Sequence, residues 1–244
     1  MSNDSLSDLR RAIAEAMHAD GALGGPILAV STVGARALPG DGAAITLMAS
    51  DETRETLAVT DEVIAAVERA QFTLGEGPSL DALTSRRPVL MADLADPVAQ
   101  AAWPGLAGRL AELPVQALFA FPMHLGATVV GVALSYRATP GELGPDHVIF
   151  ALRAVDMFTL ALLRLREGQP TTEGTDWVGD GALGTRQVHQ ATGMVMVQLG
   201  GVIATTAFAR MRAYAFAHDH TIEEVADAIV ARSLVLDPDG SAAT

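Results

Sequence analysis

Residues able to do chemistry are few and scattered. Cysteine is absent and all 16 basic residues are Arg. That composition removes disulfides, thiolate metal sites, iron–sulfur clusters, thiol nucleophiles and thioether-attached chromophores. Six histidines remain: His18, His124, His147, His189, His218 and His220. A metal needs three or four converging ligands, and His218 and His220, two positions apart, diverge on a helix. Their place at a helix C-terminus suits interaction with the helix dipole. A buried His124 could be an axial ligand for an unattached haem, but nothing beside it supports one. Gly179, Gly181 and Gly184 spell G-x-G-x-x-G before a helix. The dinucleotide motif needs a buried strand ahead of its first glycine, whereas Thr175–Val178 is acidic and linker-like. No nucleophile–base pair, carboxylate pair or phosphate loop follows from spacing. The expectation is a chain without catalytic activity, metal or cofactor.

The elements that would position any site are better defined. The 244 residues are 50% apolar, enough for one large or two modest domains, and the formal charge of −13 disfavours a generic polyanion binder. Met1–Asp8 is polar and acidic, unlike a signal peptide, and no uncharged apolar run reaches the roughly 18–20 residues of a membrane span. A cytoplasmic protein is expected. Helical spacing of Leu6, Leu9, Ile13 and Met17 predicts a helix over residues 5–19. Short strands are predicted over 44–49 and 56–60, around a polar turn that ends at Arg54. A helix capped by Thr60 or Asp61 follows, burying Val63, Ile64, Val67 and Ala70. After Gly75-Glu76-Gly77-Pro78 come a short helix over 79–84, a strand over 88–91 and a helix over 97–112 that restarts or kinks at Pro104. Trp103 is expected in the core or at its rim. Residues 116–125 and 128–137 form a hairpin about Gly126-Ala127.

The helix beginning at Pro145 carries Val148, Ala151, Val155, Phe158, Leu162 and Leu165 at alternating spacings of three and four. That seam can pack on its own sheet or against a second copy. The element order implies an α+β domain over 1–167 with a largely antiparallel sheet. A polar linker over 168–181 precedes an all-α unit over 182–236 and a tail over 237–244. In that unit, helices are predicted over 182–199, over 203–217 and from the Thr221/Glu224 capping box onward. The second helix buries Ala204, Phe208, Met211 and Ala215, which turns Arg210 to solvent and leaves Arg212 on the boundary. Three short helices bury only a small core, so this unit should lean on a partner or on the first domain.

From Thr73 to Tyr136 the chain resembles a GAF domain of the kind found in actinobacterial GAF–ANTAR regulators. The carrying residues are Gly75-Glu76-Gly77-Pro78-Ser79, Arg87-Pro88-Val89-Leu90, Asp93-Leu94, Trp103-Pro104, Phe121-Pro122-Met123 and Gly131-Val132. With its flanking helices the likeness extends over about residues 5–166. The resemblance implies an antiparallel sheet flanked by helices and a ligand pocket whose residues are unknown. The family commonly has Cys where Ser79 stands, so thiol-based sensing is excluded.

Residues 182–235 resemble an ANTAR domain, a three-helix RNA-binding module associated with transcription antitermination. Ala191-Thr192-Gly193-Met194-Val195-Met196, Ala207, Met211-Arg212 and Val225-Ala226 carry this likeness. The resemblance implies a homodimeric regulator in which GAF sensing controls the binding of RNA hairpin loops. Thr192 and Arg212 occupy motif positions and are candidate contacts. Arg186, Gln190 and Arg210 are added from helix geometry. The family usually has Lys where Thr192 stands, and after residue 172 nine acidic residues face four Arg. The alternative is a ligand-sensing dimer whose ANTAR-like helices serve assembly. Gly193, costing about 1 kcal/mol relative to Ala inside a helix, signals close approach either of another helix or of a nucleic-acid backbone.

Overall fold

The computed structural model describes residues 3–19, 25–48, 54–167, 183–236 and 242–243. The expected linker, two of the three G-x-G-x-x-G glycines and most of the tail lie outside the described residues.

Residues 117–123 are a nearly unbroken apolar run because both faces of their strand are covered. Five strands, β1 (Gly42–Met48), β2 (Arg54–Val59), β3 (Val89–Met91), β4 (Ala117–Leu125) and β5 (Thr128–Arg137), form an antiparallel sheet in the order β2-β1-β5-β4-β3. Strand alternation sends Ala117, Phe119, Phe121 and Met123 to one face and Leu118 and Ala120 to the other. The first face is covered by α1 (Asn3–Met17), α2 (Gly25–Ala37) and α7 (Pro145–Glu167). The second is covered by α3 (Glu62–Leu74), α4 (Pro78–Ser85) and α6 (Pro104–Leu110), with α5 (Pro97–Ala102) packed beside α6. Pro122 is tolerated within β4 because β3 pairs only as far as Leu118–Ala120, leaving no ladder partner that would need its missing N–H.

Three features add to or decide the sequence reading. The segment after Gly25 is a full helix, α2, that periodicity did not reveal. Its buried face is Val30, Ser31, Gly34 and Ala35, small residues without a large apolar stripe. It can lie close to α7 because a Cβ at Gly34 would stand only 2.7 Å from the Phe158 ring. Arg54 belongs to β2 and is buried, because its guanidinium is satisfied inside the protein rather than in a turn. The residue 145–167 seam packs on its own domain: Ala151, Val155, Phe158 and Leu162 are buried in the core with the sheet, α1 and α2. Its outer face still exposes Ile149, Leu152 and Leu160.

Trp103 separates α5 from α6 and is buried, with its indole N–H donating to Asp81 Oδ2 at 3.0 Å. Three helices then follow the sheet domain: α8 (Leu183–Gln198), α9 (Ala204–Ala217) and α10 (Ile222–Val230). Thr221 and Glu224 make the reciprocal capping box at the start of α10. A two-stranded ribbon pairs β6 (Val235–Leu236) with β7 (Ala242–Ala243). No described helix is long and apolar enough to cross a membrane.

Candidate nucleic-acid interface and domain junction

The core of the three-helix unit is built from Val188, Ala191 and Val195 of α8, Phe208, Met211 and Ala215 of α9, and Ile222, Val225 and Ile229 of α10. It is completed by Phe72, a residue of α3. The Phe72 ring is 4% exposed and lies 5.4 Å from the Phe208 ring, centre to centre. The small helical unit therefore leans on the first domain, through a side chain that no local pattern singles out.

Polar contacts surround this anchor. Arg212 Nε donates to the Phe72 carbonyl at 3.0 Å, and its guanidinium stacks 4.5 Å from the centre of the Phe208 ring. The Ile222 N–H donates to Thr73 Oγ1 at 3.2 Å, and Arg109 pairs with Asp219 across the junction. Helix α3 ends at Gly75, whose left-handed backbone (φ 71°) lets its N–H close on the Gln71 carbonyl. A Cβ at Gly75 would lie 2.7 Å from Arg212 Nη1, so glycine serves both the cap and the docked arginine.

On the other side of Phe72, the Arg54 guanidinium covers the ring at 3.9 Å and donates to the Glu68 carbonyl at 2.8 Å. The Glu68 carboxylate accepts from Thr46 Oγ1 at 2.8 Å, and Ser79 N–H donates to Gln71 Oε1 at 2.9 Å. Burial pushes Arg54 down to about 10, while the negative charges of Glu68 and Glu223 oppose the shift. This buried polar cluster fills the space between sheet and helices. A void of only about 10 Å³ remains beside Arg54, Glu68, Gln71 and Ser79. The larger space is a groove of about 470 Å³ at the junction, bounded by α3, α6 and the turn from α9 to α10.

The candidate contact residues separate. Thr192 is buried, with its hydroxyl donating to the Val188 carbonyl at 2.7 Å and facing Met211 Sδ at 3.7 Å. It is not a surface donor, because this position of α8 points into the core. Arg212 is half-buried and engaged at the junction, so it does not present a ready phosphate contact in this arrangement. Arg210 is exposed and, two positions from Arg212, points about 160° away from it around α9. Gln190 is exposed on α8. Arg186 lies within α8, and its side chain is outside the described residues.

Of the two expectations for Gly193, approach of another helix is not met among the described residues. The glycine is exposed, and a Cβ added there would meet nothing within 4 Å, so among the described residues no helix packs against it. Helical spacing puts positions 186, 190, 193 and 197 within about 60° of one another. Val197 on this stripe is 80% exposed. Desolvation holds the neighbouring His189 below its ordinary value. His124 is exposed, which removes the buried haem-ligand geometry. Among the described residues no group of three or more His, Asp or Glu is arranged to hold a metal.

No family model matches the chain, and no curated protein matches it. Solved structures do. The GAF domain of a phosphoenolpyruvate-protein phosphotransferase from Acinetobacter aligns at 15% identity, covering 70% of this chain and 100% of that domain, with a TM-score of 0.50. The corresponding Coxiella burnetii domain aligns at 16% identity, covering 68% of this chain and 98% of that one, with a TM-score of 0.48. The phycocyanobilin-bound GAF domain of a cyanobacterial phytochrome gives 14%, 70%, 100% and 0.47 in the same order. The Acinetobacter likeness carries the assignment, and it concerns fold: the sheet and its flanking helices have the GAF domain fold.

Proposed function

We propose that this chain is a signal-responsive RNA-binding regulator, in which a GAF-type sensing domain is coupled to an ANTAR-like helical unit that binds RNA hairpin loops in transcription antitermination. The observation that carries the reading is Gly193. An exposed glycine inside a helix costs about 1 kcal/mol relative to Ala, and no packing among the described residues compensates. A surface that a nucleic-acid backbone approaches closely accounts for a glycine at this exposed position. Gln190 on the same stripe can hydrogen-bond unpaired base edges, and Val197 offers apolar contact to a splayed base. Arg186 and Arg210 are the cations assigned to phosphate. The buried motif residues Ala191, Val195, Ala207, Met211, Val225 and Ala226 support the family likeness by forming the unit's core. Phe72 supplies the coupling, because movement of α3 must be felt in that core. Two copies pair, in this reading, through the exposed Ile149, Leu152 and Leu160 face of α7.

The test is binding of hairpin-loop RNA across a salt series. Two phosphate contacts give a slope of about −1.4 in log K against log salt. Arg210→Ala flattens it by roughly 0.7, and Gly193→Ala weakens binding while raising helix stability. A chain that ignores RNA at low salt while remaining dimeric would instead be an assembly protein. The burial of Thr192, where the family usually carries Lys, and the engagement of Arg212 favour that second reading.

A further inference from the structure

We propose that the groove at the domain junction binds an aromatic zwitterion of amino-acid size, and that this groove rather than the interior of the sheet domain receives the small molecule. The inference rests on the sensing half of the function proposed above. Inside the sheet domain the void of about 10 Å³ holds at most one water, and its polar walls already satisfy one another. The junction groove, about 470 Å³, falls within the range of small-molecule sites.

Its shape follows from small residues. Ala66 and Ala70 of α3 and Gly108 of α6 line the groove, and a Cβ at Gly108 would meet nothing within 4 Å. Phe216 of α9, 68% exposed, lines both this groove and an adjoining space of about 360 Å³. Leu74 lines both as well. An aromatic ring seated between them would cover apolar surface that now faces water.

The charges define the other end of the ligand. Arg69 and Arg109 line the groove together with Glu112 and Asp219. A simple anion would meet two carboxylates and a simple cation two guanidiniums. A molecule carrying both charges satisfies each pair, its carboxylate toward the arginines and its ammonium toward the acids. The Arg109–Asp219 pair spans the junction but is exposed, 45% and 84% for the two side chains, so it is weak and readily exchanged. The ligand would replace this single ion pair with contacts to both domains, binding α6 to the turn between α9 and α10. His220, also in the lining, stands 3.7 Å from Glu224 and is turned to that partner.

The experiment is isothermal titration of the full chain with L-phenylalanine, using benzoate, phenethylamine and glycine as controls that lack one charge or the ring. Saturable binding of phenylalanine is expected, with each control weaker by about tenfold or more. Arg109→Gln and Glu112→Gln should each cost about tenfold. Gly108→Met, which fills the groove from an open helical position, should abolish binding while circular dichroism is unchanged. Absence of saturable phenylalanine binding up to millimolar concentration, or undiminished binding by Gly108→Met, overturns the site. Equal binding of benzoate or phenethylamine overturns the zwitterion class. RNA is absent from the titration, so these failures are distinct from failure of the RNA-binding reading.

Discussion

Replacing Phe72 by Ala should detach the helical unit while leaving the sheet domain folded. The ring is 4% exposed and belongs to the core of α8, α9 and α10 rather than to either face of the sheet. Removing a buried Phe costs about 3–5 kcal/mol, combining lost transfer energy with the cavity left behind. The three-helix unit is small, and one of this size rarely holds more than about 3–5 kcal/mol. The loss is therefore comparable with the unit's whole stability. Hydrogen exchange resolved by peptide is the appropriate assay. Amides of α9 and α10 should exchange about a hundredfold to a few thousandfold faster, following the tenfold per 1.4 kcal/mol rule, whereas β1, β4 and β5 should keep their protection. Unchanged exchange in α9 and α10 would show that Phe72 is not their anchor and would remove the proposed coupling route.

Two further perturbations probe the interior of the sheet domain. Arg54→Ala leaves the Glu68 carboxylate, 3% exposed, without its buried cation; a loss of about 3–5 kcal/mol is expected, measured by urea unfolding, and a change below about 1 kcal/mol would contradict the buried-pair account. Gly34→Ala places a methyl 2.7 Å from the Phe158 ring; overpacking should cost about 1–3 kcal/mol, whereas a rise in melting temperature would mean that α2 and α7 yield without strain.

The legible parts of the fold were those with strong local patterns. The hairpin of β4 and β5 was marked by two apolar runs around Gly126-Ala127, and α10 by its capping box and its Ile222, Val225, Ile229 spacing. Arg210 at the surface and Arg212 at a boundary also followed from the α9 stripe. Helix α2 escaped because close packing against α7 selects small residues, which erases the apolar periodicity that would reveal it. Arg54, Glu68 and Gln71 escaped because burial of polar groups depends on partners distant in sequence: Arg54 meets Glu68, and Glu68 meets Thr46. Phe72 was hidden for a related reason. It lies beside a stripe that already faces its own sheet, and only the tertiary arrangement shows a second core waiting on that side of α3. For Thr192, the motif gave the position in the family pattern but not the direction of the side chain, which the core of α8 decides.

The most direct measurement is fluorescence anisotropy of labelled hairpin-loop RNA titrated with the full chain, in parallel with Gly193→Ala, at several salt concentrations. Saturable, shallowly salt-dependent binding that Gly193→Ala weakens without loss of helix content is the expected result. No binding at low salt by a folded chain, or equal binding by Gly193→Ala, would contradict the assignment of that α8 surface to RNA.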